Sequence, residues 1–112
     1  MISSSLFDLA LEYFKRRGYK IARDVSQEGF SGVSRNFDLL VSKGDEQNPV
    51  WIKDWKRTVG VNIVINIDKA ADDAGYSSPI VVADKFSDHA KAYANRRGIS
   101  LITKSEIRRR LM

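Results

Sequence analysis

An α/β domain, with a central mixed sheet of about five strands flanked by helices, is what the order of apolar patterns predicts. Three observations carry the prediction. The chain opens with an amphipathic helical stripe, its middle holds two strand-like apolar runs separated by a polar stretch, and short strands alternate with helices through its second half.

Each element has its own signal. Ser3 to Ser5 precede Leu6, Leu9, Ala10, Tyr13 and Phe14 at helical spacing, and Lys15-Arg16-Arg17 before Gly18 suit the negative end of a helix dipole. Tyr19 to Val25 reads as a short strand, and Ser26 to Asn36, with Gly29 and Gly32, as a loop or irregular edge. Phe37 to Val41 and Val50 to Trp55 are enriched in strand formers, and Lys43 to Pro49 between them reads as the long tip of a hairpin. Pairing Ser42 with Val50 across that tip places Asp38 opposite Asp54.

Val59 to Ala74 satisfies two periods at once. Val61, Ile63, Ile65 and Ile67 alternate as in a strand, while Val64, Ile67, Ala71 and Ala74 form a helical stripe. Ile80 to Ala83 is a compact buried strand after Ser77-Ser78-Pro79. Ser87 to Arg97 is helical and stops at Gly98, Ile99 to Thr103 is another strand, and Lys104 to Met112 closes in a basic helical turn or two.

With 112 residues the chain suffices for one core, so residues 1–112 are expected to form a single domain. Its apolar runs, such as Ile80 to Ala83, fall far below the roughly 20 residues needed to cross a bilayer, and its start lacks the basic and apolar blocks of a secretory signal. The expectation is a soluble cytoplasmic protein with no membrane partner. The sequence has no Cys, which excludes thiol nucleophiles and Cys-ligated zinc, and the single His89 cannot build a poly-His metal centre. It also lacks the glycine-rich nucleotide cradles, so no nucleotide cofactor is expected. A formal charge of +5 favours polyanionic partners. Whatever chemistry the chain performs falls to carboxylates, lysines and a hard cation.

One constellation fits that description. In a strand, Asp54 and Lys56 project to one face and Trp55 to the other, with Asp38 on the preceding strand. Two carboxylates there would hold Mg²⁺ or Mn²⁺, and Lys56 would orient a water or steady charge on a phosphate. The same triplet would equally serve as an exposed ion pair at a strand edge.

Phe37-Asp38 followed by Asp54-Trp55-Lys56 resembles the PD-(D/E)xK nuclease superfamily, closest to the Mrr-like restriction nucleases, with archaeal Holliday junction resolvases as relatives. The likeness extends to Leu6-Phe7-Asp8, to Arg17-Gly18-Tyr19-Lys20-Ile21, and to Ile80 through Phe86 leading to Gly98-Ile99-Ser100-Leu101-Ile102. The resemblance implies a restriction-endonuclease-like fold and metal-dependent DNA hydrolysis. It assigns the metal to Asp38 and Asp54 and a catalytic role to Lys56. An acid on the opening helix often completes the metal shell in that family, and Asp8 and Glu12, on one helical face, both qualify. Asp8 also suits a capping box from Ser5, and Glu12 a pair with Arg16. The resemblance further tips Val61 to Ala74 toward helix. Where Mrr-like members commonly carry Gln, this chain has Asp54, the superfamily's usual acid. No appended target-recognition domain is expected, and so no stand-alone restriction enzyme with long sequence specificity.

Arg35, Lys53, Arg57 and Lys69 lie near these residues in sequence and are expected to contact DNA phosphates, with Arg96, Arg97 and Arg108 to Arg110 as a second basic group. Trp51 and Trp55 are expected to pack in the core rather than stack on bases. A domain of this size contacts one strand of a duplex, so a homodimer with two active sites is expected. The alternative from another class is a non-catalytic nucleic-acid-binding or assembly module that retains the nuclease fold. A third, a protein-interaction domain with incidental charge, would not bind DNA.

Overall fold

A computed structural model describes residues 5–112, so Ser3 and Ser4, ahead of the first helix, lie outside the described residues. In chain order the elements are α1 (Leu6–Arg16), β1 (Lys20–Glu28), β2 (Ser34–Lys43), β3 (Glu46–Lys53), α2 (Val61–Asp73), β4 (Ile80–Ala83), α3 (Asp88–Arg97), β5 (Ser100–Thr103) and α4 (Lys104–Leu111). The strands form one five-stranded sheet in the order β1-β2-β3-β4-β5. β1, β2 and β3 run antiparallel, and β3, β4 and β5 run parallel.

Helix ends follow their local chemistry. Ser5 Oγ accepts the Asp8 N–H at 3.1 Å to start α1, and Ser87 Oγ accepts the Ala90 N–H at 3.1 Å to start α3. Gly98 ends α3 in the left-handed region at φ 72°. Thr103 and Glu106 cap α4 reciprocally. The Val61 to Asp73 stretch is a helix despite its β-branched residues. Parallel β3 and β4 require a crossover, and a helix burying Val64, Ile67 and Ala71 supplies it.

The sheet is packed on both faces. Phe37, Trp51 and Val81 share a layer with Val64, Ile67 and Ala71 of α2 and Ala90 and Ala94 of α3. Leu39, Val41, Val50 and Val82 share the other with Leu6, Ala10 and Phe14 of α1 and Ile107 of α4. Asp68 of α2, buried, accepts the Tyr93 hydroxyl at 2.7 Å and Arg97 Nε at 2.9 Å, joining α2 to α3. Among the described residues no helix is long and apolar enough to cross a membrane.

Two readings of the hairpins are corrected. β1 continues through Glu28 and β2 begins at Ser34, so of the Ser26 to Asn36 stretch, read as a loop or irregular edge, only residues 29–33 are loop and the rest belongs to the edge hairpin. That loop is held from outside its own sequence. Asp73 accepts the Ser31 N–H at 2.9 Å, the Ser31 hydroxyl at 2.7 Å and Arg35 Nε at 2.8 Å, and a Cβ at Gly29 would overlap its carboxylate. In the second hairpin Glu46 to Pro49 belong to β3 and the turn is Gly44-Asp45, with Gly44 at φ 62°. Leu39 therefore faces Val50 and Ser42 faces Gln47, and the predicted pairing of Ser42 with Val50 and of Asp38 with Asp54 does not occur. Polar residues of an exposed strand end have the composition of a loop, and a tight turn shifts the register.

Candidate active site

Strand alternation slips at Asp38. Phe37 packs in the α2 and α3 layer, but Leu39 and Val41 pack in the α1 and α4 layer. Between them the half-buried Asp38 turns its carboxylate toward β3, where Oδ2 accepts the Ile52 N–H at 2.7 Å. On the other side, the pairs Arg23 with Leu39 and Val25 with Phe37 leave Asp24 opposite Asp38, and Asp24 has a left-handed φ of 51°. Asp24, Ser26, Asn36, Asp38, Trp51 and Lys53 line a cavity of about 440 Å³.

A second cavity lies at the carboxyl ends of the parallel strands. Lys53 pairs with Ala83 and Ala83 with Thr103, so the next residues across the edge are Asp54, Asp84 and Lys104. Ile52, Val82 and Ile102, two residues earlier in the chain, all pack in the α1 and α4 layer, and the three polar residues follow directly on the strand ends. Together with Lys56, Trp55 and Leu6 they line a cavity of about 180 Å³. Asp54 Oδ2 accepts the Leu6 N–H at 3.3 Å, which sets a carboxylate against the positive end of α1. Open α/β sheets bind ligands at this carboxyl edge.

β3 ends at Lys53, so Asp54 and Lys56 do not share a strand face as expected, but they line one cavity, and Asp38 lines another. Asp8 and Glu12 line a third, of about 600 Å³, with Lys15, Tyr19 and Arg23. Glu12 is engaged by Arg16 at 2.9 Å. The other ion pairs among the described residues are Arg35 with Asp73 and Arg97 with Asp68, so neither Asp38, Asp54 nor Lys56 has an ion-pair partner within 4.0 Å. Among the described residues no group of three or more His, Cys, Asp and Glu side chains is gathered closely enough to hold a metal.

Of the basic residues, Arg35 is committed to Asp73. Lys53 Nζ and the Arg57 guanidinium lie 5.6 Å and 4.3 Å from the Trp55 ring centroid, and Lys69 is exposed on α2. Trp51 is buried and Trp55 packs partly against the same layer. His89 is exposed on α3. Sequence reasoning missed Asp84 and Lys104. Each is the first residue past a short apolar strand, a signal that gains meaning only once those strands are known to be parallel neighbours.

A five-stranded mixed sheet flanked by four helices is the restriction-endonuclease-like fold. The chain belongs to the Mrr_cat restriction endonuclease family, which it matches over residues 2–111. Among solved structures it is similar to a protein of unknown function, AF1548, at 19% identity and TM-score 0.79, covering 89% of this chain and 58% of that one. It is also similar to a repair endonuclease from Pyrococcus abyssi, at 16% identity and TM-score 0.66, covering 92% of this chain and 48% of that one. EndoMS in complex with double-stranded DNA is a third, at 13% identity and TM-score 0.58, covering 92% and 46%. The chain therefore spans roughly half the length of these proteins, and at such identities the likeness is one of fold. No curated protein matches the sequence.

Proposed function

We propose that the protein is a Mg²⁺- or Mn²⁺-dependent endonuclease that hydrolyses DNA phosphodiester bonds. The observation that carries the reading is the meeting of Asp54 and Lys56 in one cavity at the carboxyl edge of the sheet, in a chain of a restriction endonuclease family. The donor set suits a hard cation, since Mg²⁺ favours oxygen ligands and is held through one or two carboxylates plus substrate phosphate rather than a full protein cage. Asp54 would hold the ion, and Asp38 would join by exchanging its bond to the Ile52 N–H. Of the two acids on α1, Asp8 is the better donor because Glu12 is engaged by Arg16. The bound cation would supply Lewis-acid polarisation of the phosphate and a nucleophilic water. Lys56, exposed and without an ion-pair partner among the described residues, stabilises charge developing on the scissile phosphate. Lys53, Arg57 and Lys69 contact flanking phosphates, and Arg35 positions the β1–β2 loop through Asp73.

The test is nicking of supercoiled plasmid with Mg²⁺ or Mn²⁺ by wild type and by Asp54→Asn. Cleavage by wild type and its loss in the folded variant support the reading, and equal cleavage by both removes Asp54 from the site. A homodimer acting on both strands is part of the proposal, and a monomeric mass at micromolar concentration with double-strand cleavage intact refutes that part.

One observation favours the non-catalytic alternative. Asp38 opens on one cavity and Asp54 with Lys56 on another, and no group of three metal-ligating side chains forms among the described residues. Salt-dependent DNA binding without cleavage at any divalent ion is the result this second reading expects.

A further inference from the structure

We propose that Lys104 binds a phosphate of the substrate backbone in the cavity it shares with Asp54 and Lys56, an assignment that rests on the nuclease reading. Lys104 follows β5 directly and is the first residue of α4, where the helix dipole disfavours a cation. That helix end does not call for it. Thr103 Oγ1 accepts the Glu106 N–H at 3.2 Å and Glu106 Oε1 accepts the Thr103 N–H at 3.1 Å, so the cap is complete without the lysine. Lys104 is nonetheless half-buried, and it makes no ion pair among the described residues although Asp54 and Asp84 line the same cavity. A half-buried lysine at a helix end that disfavours it, with its ammonium group unpaired among the described residues beside a proposed hydrolytic site, points to an anion from outside the chain.

Size and charge narrow the ligand. At about 180 Å³ the cavity falls below the range of roughly 300–1,000 Å³ typical of sites for larger organic ligands, and it suits a single phosphodiester group. Lys56 and Lys104 offset Asp54 and Asp84, so a phosphate enters without net repulsion from the protein. The parallel register fixes the geometry. Ala83 pairs with both Lys53 and Thr103, which sets Lys104 one strand beyond Asp84 and two beyond Asp54, along the sheet edge.

The experiment is fluorescence anisotropy of a labelled DNA duplex with chelator present, from low to moderate salt, for wild type, Lys104→Gln, Lys104→Arg and Lys91→Gln. Lys91 is exposed on α3, against the opposite face of the sheet, and controls for loss of charge alone. Lys104→Gln should lower affinity several-fold and reduce the slope of log affinity against log salt by about 0.9, one phosphate contact, with Lys104→Arg and Lys91→Gln near wild type. Thermal melting establishes that each variant is folded. An unchanged slope in Lys104→Gln, or an equal loss in Lys91→Gln, overturns the role of Lys104 and leaves the nuclease reading standing. A wild-type protein that neither binds nor cuts DNA overturns both.

Discussion

The Asp38 carboxylate accepts the Ile52 backbone N–H at 2.7 Å, bridging β2 to β3 just beyond the pairing of Leu39 with Val50. A side chain thereby stands in for a ladder carbonyl, and the same residue is a proposed metal ligand. Structural and chemical roles at this position are separable by substitution. Asp38→Ala leaves the Ile52 N–H without its acceptor and should cost about 1–3 kcal/mol in urea unfolding. Asp38→Asn keeps an acceptor oxygen, so it should unfold near wild type while its cleavage rate falls by about 100-fold or more. An Asn variant that cuts normally would free Asp38 from the chemistry.

Gly29 owes its identity to Asp73. A Cβ at that position would overlap the carboxylate that organises the loop, so Gly29→Ala must shift either the loop or the C-terminal end of α2. Thermal unfolding should show a loss of about 1–3 kcal/mol. An unchanged melting temperature would mean that the loop is looser than the bonds from Ser31 and Arg35 imply.

Arg35 and the two Ser31 donors hold the Asp73 carboxyl below its ordinary pKa. Because the folded value is lowered, the stabilisation is present above the unfolded aspartate value of about 3.9 and is lost as pH falls through the folded value. Wild type should therefore lose stability more steeply than Asp73→Asn below about pH 4. Parallel curves in urea titrations would refute this.

Tyr93 presents the opposite sign. Its hydrogen bond to Asp68 and its burial raise the phenol above its ordinary value, with Arg97 acting weakly against them. The contribution to stability is present below the unfolded tyrosine value of about 10 and is lost as pH rises through the folded one. Ultraviolet titration should show one tyrosine ionising late, absent in Tyr93→Phe and shifted down in Asp68→Asn. A late transition that persists in Tyr93→Phe would belong to another tyrosine.

Elements with one local period were legible without coordinates. α1 and α3 each combine a serine cap with a basic last turn and a glycine nearby, and Ile80 to Ala83 has only one reading as a buried strand. Val61 to Asp73 was not legible from propensity, because its alternating Val and Ile residues also fit a strand. The crossover demanded by parallel β3 and β4 decides for helix, and the family resemblance anticipated it. The hairpin failed for a related reason. Glu46, Gln47 and Asn48 have the composition of a tip, and nothing local distinguishes the exposed end of a strand from a loop.

By itself the amino-acid order determined the α/β class, the capped helices, the basic charge and the acid-x-Lys triplet of Asp54 and Lys56, because each is written in residues close along the chain. Tertiary structure alone decided that Asp38 opens on a different cavity, that Asp73 secures a loop some forty residues away, and that Asp84 and Lys104 stand beside Asp54. Those neighbours are set by strand register and by helical crossovers between parallel strands, and such pairings join positions whose separation along the chain carries no periodic signal.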